Sequence, residues 1–126
     1  MSVPADRRYL ESHEWHQLAG DVVTIGITQH AADELTDITF VQLPKVGSAV
    51  AAGKPFGEIE SVKATADLMC GISGQVVAVN DALSTNPGMI NQDPYAGGWM
   101  IRVKVADAAL VQKLLSAEDY EKKSGH

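Results

Sequence analysis

Alternating apolar and polar positions occur in several short runs along the chain and predict β-strands. In residues 22–28, valine or isoleucine recurs at every second position, which is the period of a strand with one buried face. Residues 99–105 alternate in the same way and place Met100, Arg102 and Lys104 on the solvent face. These two stretches therefore predict half-buried strands.

Two further β-runs, residues 38–43 and 75–80, are bounded by turn-forming residues. Gly, Pro, Asn and Asp recur through residues 47–57 and 80–98, so the strands are short and closely spaced. This spacing favours an all-β sandwich or barrel over alternating strand and helix units.

Helix signals are confined to two places. Residues 29–35 fit a short helix between strands, with Thr28 as its N-cap. Near the C-terminus, Asp107 can cap a segment in which Leu110 and Leu114 share one face. A second capping signature, Ser-Ala-Glu-Asp, covers residues 116–119.

The length of 126 residues and a hydrophobic content of 45% suit a single domain with its own core. We expect one domain over residues 1–126, with a β-core at about 9–106 and a helical segment at about 107–122. A monomer is expected.

The charge balance argues against several classes of partner. The chain has sixteen acidic and ten basic residues, and the resulting net charge of −6 repels nucleic acid and anionic membrane surfaces. No run of about 18 apolar residues suggests a membrane span.

The single cysteine, Cys70, excludes an internal disulfide and suits a reducing compartment. With no apolar leader in residues 1–9, a cytoplasmic protein is expected.

Familiar catalytic and metal motifs do not fit. Residues 47–55 resemble a phosphate loop, but five residues separate the glycines and Pro55 replaces the hydroxyl residue that would hold Mg²⁺. His13 and His16 are three positions apart, not the four of a zinc helix, so no metal site is predicted there. No sequence motif around Cys70 indicates that its thiol is activated as a nucleophile. Composition alone identifies no enzyme.

Lys63 has a more informative context. Residues 56–60 and 71–77 read as two strand arms, which places Lys63 near a hairpin bend among the small residues Ser61, Ala64 and Ala66. An exposed lysine is usually only a solvated charge, but at a tip its long, flexible amine is accessible for modification.

The segment Glu60-Ser-Val-Lys-Ala64 resembles the lipoyl-lysine motif of the glycine cleavage system H protein family, and the similarity runs from about Tyr9 to Tyr120. The other matching blocks are residues 12–15, 26–31, 40–44, 46–47, 56–57, 73–74, 79–80, 86–91 and 93–99. The chain departs from the family pattern at residues 69–71, where Gly71 stands in place of a proline and is expected to loosen the returning strand.

The resemblance implies a mainly-β fold, the flattened β-barrel or barrel-sandwich hybrid of lipoyl and biotinyl carriers, with a short internal helix and C-terminal helices. It implies lipoic acid in an amide bond on Lys63 and a non-catalytic shuttle role. The lipoyl arm would accept an aminomethyl group from glycine decarboxylase, present it to aminomethyltransferase and be reoxidised by dihydrolipoamide dehydrogenase. A lipoate ligase or lipoyl transferase would attach the group.

The resemblance also suggests residues around the arm. Glu60 and Asp67 flank the attachment site, and Ser12, Glu14 and His30 match positions able to line a cleft for the loaded arm. Two alternatives stay open: His30 as a helix residue bonded to backbone, and the whole protein as a lipoate donor that relays lipoyl groups to other carriers. Lipoyl domains of 2-oxoacid dehydrogenases and biotin carriers have different residues around their lysine.

Overall fold

Two antiparallel sheets share one apolar core in the computed structural model, which describes residues 3–123. The larger sheet has the order β1–β2–β3–β9–β8–β5, and the smaller has the order β4–β6–β7. The strands are β1 (Arg8–Tyr9), β2 (Glu14–Ala19), β3 (Val22–Ile27), β4 (Ile38–Gln42), β5 (Ala49–Val50), β6 (Pro55–Ser61), β7 (Thr65–Met69), β8 (Gly74–Val79) and β9 (Ile101–Val105). This sandwich-like arrangement confirms the mainly-β prediction.

The central strands of the larger sheet, β3 and β9, show why apolar residues at every second position predicted strands. Ile25 lies opposite Ile101 and Val23 lies opposite Val103, and all four side chains are fully buried. The solvent-face prediction for Met100 is wrong, because pairing begins only at Ile101. Met100 precedes the strand, donates its N–H to the carbonyl of Ile25 at 2.8 Å and buries its side chain in the core.

The internal helix α1 (Gln29–Leu35) forms as predicted, and the Thr28 hydroxyl caps it by accepting from the N–H of Ala31 at 3.3 Å. Two single-turn helices, α2 (Ala82–Thr85) and α3 (Met89–Gln92), lie between β8 and β9. They follow the turn-forming residues of that segment.

The C-terminal segment is helical, but its first part differs from the expectation. Ala108–Lys113 forms a 3₁₀ helix, capped by Asp107, which accepts from the N–H of Ala109 at 3.1 Å. The tighter repeat buries Val111 and leaves Leu110 42% exposed, while Leu114 falls outside the helix. Helix α4 (Ala117–Lys123) then begins after Ser116, whose hydroxyl accepts from Asp119 N–H.

A small aromatic cluster attaches α4 to the start of the chain. Tyr9 on β1 stacks on Tyr120 at a ring separation of 4.8 Å, and Trp15 is buried with them. Tyr9 also exchanges two backbone hydrogen bonds with Leu115, at 2.8 and 2.9 Å. The C-terminal helix is thereby held beside the loop that precedes β2.

No helix within residues 3–123 has the length and apolar character needed to cross a membrane.

Candidate functional site

Lys63 lies in the turn between β6 and β7, at the tip of the smaller sheet. The Ser61 N–H donates to the Ala64 carbonyl at 2.8 Å, and the Ser61 hydroxyl oxygen accepts from the N–H groups of Lys63 and Ala64 at 3.2 and 3.0 Å. These bonds close the turn without the Lys63 side chain, which is exposed. A hairpin with Lys63 at its bend is therefore present, and the amine lies outside the turn. The predicted returning arm, residues 71–77, is wrong: β7 (Thr65–Met69) pairs with β6, and β8 (Gly74–Val79) belongs to the larger sheet.

The tip rests against the end of α1. Lys63 Nζ donates to the carbonyl oxygen of Glu34 at 3.1 Å, and the Val62 N–H donates to the Asp37 carbonyl at 3.1 Å. The last carbonyls of a helix lack partners within the helix and carry partial negative charge, so they suit a cationic amine. The contact with Glu34 was not anticipated from the sequence, because α1 and the hairpin are brought together only by the fold.

The carboxylates that flank Lys63 lie at different positions on the hairpin. Glu60 pairs with Thr65, whereas Asp67 stands directly opposite Glu58, and all three carboxylates are exposed. Like charges in a directly opposed pair repel and destabilise a sheet locally. The hairpin thus presents a more acidic surface than its two flanking residues alone would give.

A cleft of about 300 Å³ opens beside Lys63. It brings together Ser12, Glu14 and Asp67 with Lys63, but its lining does not include Glu60 or His30. The lining also contains His13, Glu34 and the apolar residues Ile27, Ala31, Leu35, Ile59, Ala66 and Leu68. One part of the cleft is therefore apolar and another is polar and ionisable.

Glu14, the first residue of β2, is an unusual member of that wall because its side chain is buried. Burial raises the pKa of its carboxyl to about 7, partly offset by hydrogen bonds that favour the carboxylate. The Ser12 hydroxyl donates to Oε1 at 2.5 Å and the Met69 N–H donates to Oε2 at 2.7 Å. The cleft consequently contains a carboxyl group that titrates near neutral pH.

The two histidines that the sequence placed near each other have separate environments. His13 lines the cleft, and its Nδ1 lies 2.5 Å from the Tyr120 hydroxyl. His16 is fully buried, and burial lowers its pKa to about 4. Its Nε2 accepts from the N–H of Gly71 at 3.1 Å. His16 is therefore a neutral core residue.

His30 is partly exposed and is not among the residues that line the cleft. Its Nε2 is 3.1 Å from Oε1 of Glu34, and its ring centroid is 4.8 Å from that of His13. Nothing in the sequence relates His13 to His30, since they belong to different elements.

Cys70 is fully buried, and its thiol donates to the carbonyl of Ile72 at 3.0 Å. Burial raises the pKa of the thiol to about 11. Because the thiolate is the nucleophile, Cys70 is unreactive in the folded protein.

Comparisons with known proteins agree over nearly the whole chain. The family model described as glycine cleavage H-protein matches residues 7–126. Glycine cleavage system H proteins of Bacillus mycoides (strain KBAB4) and Bacillus anthracis (strain A0248) are each 51% identical over 120 residues, covering 95% of this chain and 94% of the relative. A crystal structure of a glycine cleavage system H protein from Mycobacterium marinum superposes with a TM-score of 0.91 at 42% identity, covering 98% of this chain and 100% of that one.

Proposed function

Because this chain belongs to the glycine cleavage H-protein family, we propose that Lys63 carries lipoic acid in an amide bond. As a member of that family the chain is a carrier component of glycine cleavage and not a catalyst. The observation that carries the proposal is the exposed Lys63 at a turn whose hydrogen bonds do not involve its side chain. A lipoate ligase or lipoyl transferase can acylate such an amine without disturbing the hairpin.

When bound, the lipoyl disulfide would supply an acceptor for the aminomethyl group formed by glycine decarboxylase: a carbon–sulfur bond would replace the S–S bond, and the second sulfur would be released as a thiol. Aminomethyltransferase would be the partner that receives the one-carbon unit, and dihydrolipoamide dehydrogenase the partner that reoxidises the dithiol. The chain's own contribution is tethering, since a group on a flexible arm reaches an effective concentration of roughly millimolar at a docked enzyme.

The cleft beside Lys63 fits such an arm. Ile27, Leu35 and Ile59 provide apolar surface for its hydrocarbon part, and the carboxyls of Glu14 and Asp67 face the same space. A cationic amine next to Glu14 favours the ionised carboxylate and forms a charge-assisted hydrogen bond with it. Ser12 holds the Glu14 carboxyl in place at 2.5 Å.

The other predicted residues act less directly in this proposal. Glu60 and Asp67 become uncompensated carboxylates once acylation removes the charge of Lys63, and with Glu58 they offer an acidic surface to basic docking partners. His30 positions Glu34, whose carbonyl receives the unmodified amine. We place the protein in the cytoplasm, because its single cysteine is unpaired and buried.

Peptide mass spectrometry on the protein from its native host tests the attachment. We expect the peptide that contains Lys63 to carry the mass of a lipoyl group. An unmodified Lys63 in cells supplied with lipoate would contradict the proposal.

Reconstitution tests the role. With the three partner enzymes, the lipoylated protein should support glycine-dependent release of CO₂, and Lys63→Arg should fold but be inactive. Lys54→Arg, which changes an exposed lysine immediately before β6, is the matched control and should keep full activity. A protein that is lipoylated and passes lipoyl groups to other carriers, yet does not support glycine decarboxylation, would be a lipoate donor instead.

A further inference from the structure

Three side chains with metal-binding atoms converge beside the cleft. One ligand atom each from His13, His30 and Glu34 lies within 4.8 Å of the other two. His30 and Glu34 are one turn apart on α1, and His13 comes from the loop before β2. The cluster therefore joins two elements that are distant in the sequence.

The spacing is close to that of a tetrahedral metal site. Two ligand atoms about 2.1 Å from one ion lie about 3.4 Å from each other. Nε2 of His30 and Oε1 of Glu34 are already 3.1 Å apart. The ligand atom of His13 is at most 4.8 Å from the other two. A side-chain movement of about 1.4 Å would therefore bring all three atoms to the separation of a tetrahedral site.

His13 is held in a conformation that suits a ligand. Its backbone has φ of 83°, a left-handed value that costs energy for a residue other than glycine. Its carbonyl accepts from the N–H of Thr28, the residue that caps α1, at 2.9 Å. The backbone of His13 is thus fixed relative to the helix that carries the other two side chains.

The imidazole of His13 also has an orienting partner. The Tyr120 hydroxyl lies 2.5 Å from Nδ1 and 3.0 Å from the hydroxyl of Thr28. When Tyr120 donates to Thr28 and accepts from Nδ1–H, His13 is the tautomer in which Nε2 carries no proton. Hydrogen bonding of the second ring nitrogen is the usual way in which metal-ligating histidines are oriented.

We propose that His13, His30 and Glu34 bind a divalent cation of the zinc class at the edge of the Lys63 cleft. Two imidazoles and one carboxylate suit Zn²⁺ and related transition metals, and they disfavour Mg²⁺ and Ca²⁺, which need oxygen-rich sites. His13 and Glu34 both line the cleft, so an ion held by them would lie next to the space beside Lys63. The site needs no lipoyl group for its formation.

Metal titration of the full chain, produced without lipoate so that Lys63 is unmodified, tests this inference. Calorimetry with Zn²⁺ should show one saturable site per chain, and Co²⁺ should develop visible absorption bands from nitrogen and oxygen ligands. His30→Ala and Glu34→Gln should each weaken binding about tenfold or more. His13→Asn, which tolerates a positive φ, should do the same.

Glu58→Gln is the matched control, because it removes an exposed carboxylate that does not belong to the cluster. It should leave the Zn²⁺ affinity unchanged, and circular dichroism should show that all four variants fold. Absence of saturable binding, or binding that His30→Ala and Glu34→Gln leave unchanged, would overturn the proposal. The lipoylation of Lys63 is measured separately by mass spectrometry, so the two proposals can fail independently.

Discussion

The backbone N–H of Gly71 donates a hydrogen bond of 3.1 Å to Nε2 of His16, a side chain that is fully buried. Any residue other than proline can supply this N–H, so the glycine that stands in place of the expected proline makes a bond that proline could not make. The expected loosening at Gly71 is opposed by this bond, which ties the segment after β7 to β2.

Replacing Gly71 by proline should therefore destabilise the protein. Gly71→Pro leaves Nε2 of His16 buried without its donor, which costs about 1–3 kcal/mol of unfolding free energy. Gly71→Ala is the control, because it keeps the N–H and its added carbon meets only the ends of the Leu10 and Leu114 side chains, at about 3.0 Å. Urea denaturation should show a clearly larger loss for proline, and equal losses would count against the role of the N–H.

Glu14 should make stability depend on pH near neutrality. Burial raises the pKa of its carboxyl from 4.5 to about 7 in the folded protein, so between these values the folded state holds a proton that the unfolded state releases. Stability from Glu14 is complete below pH 4.5 and falls as pH rises to about 7, by roughly 3 kcal/mol at most.

Glu14→Gln removes this titration. The free energy of unfolding measured from pH 4.5 to pH 8 should fall less steeply for the variant than for the parent. Glu11→Gln, at an exposed position in the preceding loop, is the control and should follow the parent curve. Identical slopes for Glu14→Gln and the parent would show that the Glu14 pKa is not raised.

Gly26 should be sensitive to even one added carbon. A Cβ atom there would lie 2.6 Å from the ring of Trp15, which is fixed by a 3.0 Å hydrogen bond from Nε1 to the Pro94 carbonyl. Gly26→Ala should lower the unfolding free energy by about 1–3 kcal/mol through overpacking. Gly88→Ala is the control, because its Cβ would be 3.6 Å from its nearest neighbour. Thermal melting should show a larger loss of stability for Gly26→Ala than for Gly88→Ala.

Cys70 should not react in the folded protein. A shift of its pKa from 9.0 to about 11 lowers the thiolate population about 100-fold at neutral pH, and burial removes access as well. Cys70 can be titrated with an aromatic disulfide reagent that releases a coloured thiolate when it reacts with a thiol. Absorbance should rise only after the protein is denatured. Cys70→Ser should leave glycine cleavage by the lipoylated protein unchanged, and a large loss would reveal a role for this thiol.

The strands were predictable where one face of a strand is buried and the other is wet. β3 shows this pattern from Val22 to Ile25, where buried Val23 and Ile25 alternate with partly exposed neighbours, whereas both faces are buried at Gly26 and Ile27. Met100 was misassigned because the alternation in the sequence begins at residue 99, before β9 starts to pair at Ile101. The shared face predicted for Leu110 and Leu114 does not form, because the segment is a 3₁₀ helix that ends at Lys113.

The candidate site was only partly predictable. Lys63 was identified by its turn context and by resemblance, and Ser12, Glu14 and Asp67 do line the cleft beside it. Glu34 and His13 were missed because nothing in their own segments relates them to Lys63. Their proximity depends on the packing of α1 and of the loop before β2 against the hairpin, which is a tertiary property.

The turn at Lys63 would allow the proposed lipoylation to follow folding. Its hydrogen bonds run through backbone groups and the Ser61 hydroxyl, so acylation of the amine would change none of them and would affect only the contact of Nζ with the Glu34 carbonyl. A modifying enzyme can therefore act on a chain that has already finished folding, and it can recognise the shape of the tip as well as its sequence.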